Sequence, residues 1–405
     1  MIRERTIVRL AVGAIALHVV DDSFLQPQPG TSATDHLVSG LVPVALLALV
    51  AVRYPRLRAG WRAVLALVTG AFGLAAGSEA WHYSREVGAS GDDYTGFLAL
   101  AAGVVLLGVG VVTLWRSRRL DARLWRRYGR RALIGVAGLV ATLLLVYPLV
   151  YSYGMTHLAR AVVPEPRLGA DFEDVSFTTD DGLDLVGWYV PSRNRAAVIA
   201  FPGRKGPQRH ARVLVRHGYG VLLFDRRGEG ASEGDPNAVG WNGDRDIKAA
   251  IAFLRRQPDV DPNRIGGIGL SVGGELMLET ASETDALKAV VSDGAGIRSA
   301  REASEIWHAL PIWTGLTVGT VIFSNHTPPP NLNEIVDRIA PRPVFFIYAS
   351  KGQGGEELSQ TFYESARRPK AVWKVPGASH TGGIEARPRE YERRMVGFFD
   401  AALRE

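Results

Sequence analysis

The chain has 405 residues, with a formal charge of +6, 45 Gly, 22 Pro and no Cys. That length holds two or three domains, and the missing Cys excludes disulfide scaffolds, thiolate metal sites and thiol nucleophiles. The positive charge belongs to one part only: residues 1–160 hold 17 Arg and no Lys against nine acidic residues, a net of +8, whereas the remainder carries −2. The two parts suit different solvents, and the basic total gives no support for a nucleic-acid partner.

The first part, residues 1–159, reads as a transmembrane helical domain. Apolar stretches cover 6–20, 36–52, 63–80, 94–115 and 132–153, most of them close to the ~20 residues that a helix needs to cross hydrocarbon. The first is short and carries Arg9 and His18. It is followed by Asp21, Asp22 and a Gln-Pro-Gln-Pro run rather than a small-residue cleavage site, so an uncleaved first span is expected. Arg53, Arg56, Arg58 and Arg62 follow the second stretch, and eight Arg lie between Arg116 and Arg131 after the fourth. Positive loops stay cytoplasmic. The N-terminus is therefore expected inside and everything after Tyr153 outside, in an integral, multi-pass plasma-membrane protein. The same Arg residues suit anionic lipid headgroups. Glu79, His82 and His18 are the candidate ionisable groups for chemistry within this part; all lie near span ends, where reaching to the interface is the expected role.

Residues 160–170, with Pro164, Pro166 and Gly169, read as a linker. From 171 to 405 the pattern changes to apolar β-rich runs alternating with helical ones, the signature of an α/β domain. Val175 to Thr178 and Leu183 to Val190 flank Asp180-Asp181-Gly182, a hairpin signal. Six further strands are expected at Ala196–Phe201, Val221–Asp225, Ile265–Leu270, Lys288–Ser292, Pro343–Ala349 and Ala371–Val375. Helices fit at Gln208–His217, Asp244–Arg255, Val272–Ala281, Glu356–Ala366 and Arg387–Leu403. An antiparallel opening that leads into a parallel sheet covered on both faces is the expected outcome.

Two segments match Gly-x-Ser-x-Gly, one centred on Ser232 and one on Ser271. A nucleophile elbow requires a buried strand running straight into a helix, with the Ser on the tight turn between them. Ser271 meets that condition, because Ile265–Leu270 is an apolar strand and the residues from Val272 read as a helix. Ser232 precedes Glu-Gly-Asp-Pro-Asn, which cannot continue a helix, and reads as loop. A serine hydroxyl needs a base. Of nine His, His380 sits in a Gly-rich loop after the last strand, on the sheet edge where sites in open α/β sheets form. His210, His217, His308 and His326 fall on helices or in the inserted region, where packing or surface roles fit better.

With these residues in order, the chain from about Asp171 onward resembles the α/β-hydrolases. It is similar to serine hydrolases of the dienelactone-hydrolase and S9/S33-peptidase-like groups. The Phe201-Pro202-Gly203-Arg204 and Asp225-Arg226-Arg227-Gly228 segments carry the likeness as well. The resemblance implies an eight-stranded sheet, no cofactor and no metal. It also implies an oxyanion hole from the backbone N–H of Val272 and of Arg204, whose side chain would face solvent or select an anionic substrate group. Many relatives place the third triad member in a Gly-x-x-Asp context after the seventh strand. Here no Asp is present, and Glu356 is the nearest well-placed carboxylate, with Glu357 beside it and Asp293 after the sixth strand as alternatives. Between 296 and 341 lies an insertion at a position where lids occur. Its Ile306–Phe323 stretch is apolar enough for a sixth span, but one more crossing would separate the last two strands from the rest, so an apolar lid is expected.

The sequence therefore points to a membrane-anchored serine hydrolase that cleaves an ester, thioester or amide in a hydrophobic or acyl-containing substrate. Acyl transfer to a lipid or envelope component, and a non-catalytic binding domain, remain alternatives.

Overall fold

The computed structural model describes residues 2–86, 88–117, 129, 132–134, 136–138, 140, 142–157, 159, 160, 163, 164, 166–306 and 308–404. Most of the second Arg-rich connection, part of the 132–153 stretch and part of the 160–170 linker lie outside the described residues. The chain divides into two units. One comprises Met1–Ala159, Asp235–Ala238 and His308–His326; the other comprises Arg160–Gly234, Val239–Trp307 and Thr327–Glu405.

The first unit is helical: α1 (Ile2–Val20), α2 (Leu37–Arg53), α3 (Ala59–Ala76), α4 (Ser78–Glu86), α5 (Asp93–Arg116) and α6 (Tyr147–Thr156). Among the described residues, three helical stretches, Leu37–Arg56, Ala59–Glu86 and Asp93–Arg116, are long and apolar enough to cross a membrane. Small residues bring α3 and α5 together, since a Cβ on either Gly70 or Gly103 would come within 2.8 Å of the other's carbonyl oxygen. Close backbone approach of this kind is how helices associate where no hydrophobic effect drives them together. Leu41 and Leu49 of α2 and Val104 and Val111 of α5 point outward. His18 does not reach to an interface as expected. It is buried, with its ring bonded to Thr95 Oγ1 at 3.2 Å and to the Ala76 carbonyl at 2.9 Å, partners that replace the water both nitrogens lose on burial. His82 is exposed.

The second unit is built on β1 (Glu173–Thr178), β2 (Asp184–Val190), β3 (Ala197–Phe201), β4 (Gly220–Phe224), β5 (Ile265–Leu270), β6 (Ala289–Asp293), β7 (Val344–Lys351) and β8 (Lys370–Ser379). They form one eight-stranded sheet in the order β1-β2-β4-β3-β5-β6-β7-β8. The β1–β2 and β2–β4 pairs are antiparallel and the rest parallel. Helices α7 (Gln208–Arg216), α8 (Asp244–Leu254), α9 (Val272–Glu283), α10 (Ala300–Ala303), α11 (Leu310–Ser324), α12 (Leu358–Ser365), α13 (Gly383–Ala386) and α14 (Pro388–Leu403) complete the chain. Every residue of β3 to β6 is buried, as expected of strands covered on both faces. The two-residue alternation is visible at Gly266, which faces Phe399 and Leu403 of α14, and Gly267, which faces Met277 of α9.

The insertion expected to form a lid divides between the units. Residues 308–326, including α11, belong to the helical unit, where α11 packs along α6 and α2. An uncharged helix lowers its free energy more on an apolar bundle than over a solvated loop edge.

Candidate active site

The site is made by loops that leave the C-terminal ends of β5, β7 and β8. Ser271 stands between β5 and α9 with φ 52° and ψ −123°, a conformation that costs an ordinary residue ~1–3 kcal/mol and persists only when its surroundings impose it. Here Gly269 and Gly273 impose it: a Cβ on Gly269 would lie 2.0 Å from the Gly273 carbonyl oxygen, and one on Gly273 would lie 2.6 Å from Pro202 Cδ. The strand, the turn and the loop after β3 are thus in direct contact around the serine. Its N–H donates to the Asp293 carbonyl at 2.7 Å.

His380 follows β8 directly. Its Nε2 lies 2.8 Å from Ser271 Oγ, and its Nδ1 lies 2.9 Å from Glu356 Oε2. Glu356 is fully buried, and its other oxygen accepts the Ala349 N–H at 2.7 Å. The Gly-rich loop after β7 makes this possible. A Cβ on Gly352 would stand 2.2 Å from Glu356 Oε2, and Gly354 and Gly355 take φ values of +67° and +84°. Gly294, at φ +81°, leaves room for both partners, since a Cβ there would approach His380 Cε1 at 3.2 Å and Glu356 Oε1 at 3.4 Å. The hydrogen bond to Glu356 raises the His380 pKa above its ordinary value, against the opposing effect of burial.

The two alternative carboxylates are placed elsewhere. Glu357 is exposed at the start of α12. Asp293 is buried and accepts the Tyr391 hydroxyl at 2.6 Å, and burial pushes its pKa up to about 7. A carboxyl that holds its proton more tightly folded than unfolded costs stability as pH rises. Stability is therefore expected to fall between about pH 4 and pH 7, with buried Glu275, also pushed up to about 7 by burial, acting in the same window. Asp293→Asn should flatten this dependence in part, measured as urea midpoints at pH 5 and pH 8; an unchanged slope would contradict the assignment.

Arg204 differs from expectation. Its N–H donates to Asp225 Oδ1 at 2.9 Å, and its guanidinium binds Asp225 Oδ2 at 2.7–2.8 Å while lying over the Trp188 ring at 4.9 Å. The side chain is buried and therefore neither faces solvent nor waits for an anion. The N–H is occupied because the Asp225 carboxylate, taken from water, needs several donors. Val272 N–H and Gly203 N–H, in contrast, meet no acceptor among the described residues.

Ser232 is fully buried. Its hydroxyl donates to the Asp225 carbonyl at 2.7 Å and accepts the Val186 N–H at 2.9 Å. It ties the loop after β4 to β2. Ser232→Ala is expected to lower stability by roughly 1–3 kcal/mol while leaving Ser271 chemistry intact, to be checked by chemical denaturation alongside active-site labelling. His210 is buried against the Tyr391 ring, centroids 5.2 Å apart, with neither ring nitrogen hydrogen-bonded among the described residues, and His217 bonds Glu392. Three contributors were not foreseen: Glu275, which accepts the Gly296 N–H at 3.0 Å and holds the loop after β6; Tyr391; and Gly294. Glu275 lies four residues after Ser271 on α9, a one-turn spacing that could have signalled it. Tyr391 is 98 residues from Asp293 and gave no local signal.

An eight-stranded, mostly parallel sheet with a serine at a strand-to-helix elbow defines an α/β-hydrolase domain. The family model for the X-Pro dipeptidyl-peptidase (S15 family) matches residues 170–334. The uncharacterized protein Rv2307c of Mycobacterium tuberculosis is 30% identical over 244 residues, covering 56% of this chain and 77% of that protein, and the chain belongs to the same family. YfhR of Escherichia coli K12, also uncharacterized, is 27% identical over 248 residues, covering 57% of this chain and 81% of its own. Among solved structures, the Pyrococcus furiosus esterase Pf2001 aligns with a TM-score of 0.51 and 26% identity, over 62% of this chain and 98% of the esterase.

Proposed function

We propose that the protein is a membrane-anchored serine hydrolase that cleaves an ester, thioester or amide bond in a hydrophobic or acyl-containing substrate, with its active site on the extracytoplasmic face. The observation that carries the reading is the unbroken relay from Ser271 Oγ through His380 Nε2 and Nδ1 to Glu356 Oε2, at 2.8 and 2.9 Å. Both distances are those of strong hydrogen bonds. Ser271 Oγ attacks the carbonyl carbon as His380 takes its proton, and the resulting oxyanion lies near the Val272 N–H. We assign the second oxyanion donor to Gly203 rather than Arg204, because the Gly203 N–H meets no acceptor among the described residues and its loop touches Gly273. Each such donor is worth roughly 2.7–4 kcal/mol in similar chemistry. Collapse breaks the bond to the leaving group, which receives the proton from His380. Water, deprotonated by the same ring, then attacks the acyl-enzyme and restores Ser271. Glu356 orients the ring and stabilises its charged form.

Membrane anchoring is supported by the three apolar helices, and orientation by the Arg-rich connections. A fluorophosphonate probe tests the chemistry: labelling of the folded protein that Ser271→Ala abolishes is expected, and no labelling would favour a non-catalytic binding domain. A membrane-impermeant version of the probe reaching Ser271 in intact cells tests the orientation.

A further inference from the structure

The insertion between β6 and β7 contains 28 consecutive residues, 306–333, without Asp, Glu, Lys or Arg. At its centre, α11 carries Gly315 and Gly319, one turn apart on one face. That face is closed by α6: a Cβ on Gly315 would stand 2.8 Å from Pro148 Cβ, and one on Gly319 would stand 2.7 Å from Ser152 Cβ. Ser152 Oγ donates to the Leu316 carbonyl at 2.9 Å, and the Phe323 ring meets the edge of Tyr153 with centroids 5.2 Å apart. A small-residue seam with an interhelical hydroxyl bond is the packing mode of helices in lipid. The partners advance together along both helices, so α11 and α6 run side by side in one direction.

The opposite face of α11 is the informative one. Leu310, Val318 and Val321 are 37%, 50% and 37% exposed, and the exposed Thr314 between them spends its hydroxyl on the Leu310 carbonyl at 2.7 Å. The helices that α11 packs against also expose apolar side chains, Leu41 and Leu49 of α2 and Leu149 of α6. The 15 residues of α11 extend ~22 Å at about 1.5 Å per residue, short of the ~30 Å of a bilayer core. The chain on both sides of 308–326 belongs to the hydrolase unit, so the segment enters and leaves on the same side.

We propose that α11 is embedded in the hydrocarbon of one leaflet, held by its glycine seam with α6 and facing lipid acyl chains, without crossing the membrane. The inference rests on the reading of the helical unit as a membrane domain, and the test separates the two. Because the chain has no Cys, Val318→Cys, Val321→Cys, Val105→Cys on the outward face of α5, and Asp285→Cys on the exposed surface of the hydrolase unit each introduce a single thiol. The four full-length variants are treated with a charged maleimide in open membrane sheets that expose both faces, and total thiol is counted after SDS. Hydrocarbon disfavours the reactive thiolate, so residues 318, 321 and 105 should label at least roughly tenfold more slowly than residue 285. Nitroxide labels at 318 and 321 should collide readily with oxygen and poorly with a water-soluble nickel chelate. Fast maleimide labelling at 318 and 321 with 105 protected would overturn the inference and leave the membrane reading standing; fast labelling at 105 as well would remove both. Low collision with oxygen and nickel alike would mean that protein, not lipid, covers this face, and would also overturn it.

Discussion

Ser271→Ala is expected to lower turnover of an activated ester by roughly 10⁶-fold, the scale on which removal of a triad nucleophile acts when its partners cannot work alone. The argument is structural as well as chemical. His380 Nε2 has Ser271 Oγ as its partner at 2.8 Å, so alanine leaves the base with nothing to deprotonate except water at an undefined position. What should survive is the contribution of the oxyanion donors and of binding, which do not depend on the hydroxyl. Stability should not fall, because alanine meets the same backbone strain at φ 52° as serine does and removes only a hydroxyl. Turnover assays together with fluorophosphonate labelling read both effects. Activity within tenfold of the parent would remove Ser271 from the mechanism.

Glu356→Gln should reduce turnover by roughly 10⁴-fold with the fold intact, since an amide in place of the carboxylate holds the imidazole in the wrong tautomer and no longer stabilises its cation. The pH dependence separates this from structural damage. The Glu356 hydrogen bond raises the His380 pKa, and the working base is the neutral ring. The acid limb of the parent kcat/KM profile must therefore lie above the ordinary histidine value near 6.5. Without the carboxylate the folded pKa falls, so the acid limb of the residual activity should move to lower pH. Glu356→Asp keeps the charge but shortens the reach. It should recover part of the rate and keep the limb near its parental position. An acid limb that stays in place in Glu356→Gln would mean that another group sets it.

Much of this site could be read from local pattern. Ser271 was separable from Ser232 because an elbow needs a strand before it and a helix after it, and both are written within a dozen residues. His380 followed from the last strand and its Gly-rich loop, and all eight strands fall within a few residues of their expected places, most sharply β3 to β6, because strands buried on both faces are continuous apolar runs. The carboxylate was harder. Glu356, Glu357 and Asp293 are equivalent as residue types, and the decision depends on how Gly352, Gly354 and Gly355 fold the loop back. Arg204 escapes the local pattern for a related reason: its N–H is taken by Asp225, 21 residues away, across two strands whose adjacency the linear pattern does not express.

Sequence alone determined the division into an Arg-rich apolar part and a nearly neutral α/β part, the order of the strands along the chain, and Ser271 and His380 as the candidates for nucleophile and base, because these depend on periodicity and on residues close in the chain. Only the tertiary structure decided which acid meets His380, that Asp293 is paired with Tyr391 instead, that His18 is a bonded core residue, and that α11 joins the helical unit. Each of these depends on which groups far apart in sequence become neighbours, and burial then makes the choice: a polar atom taken from water must find the partner that the fold places within reach.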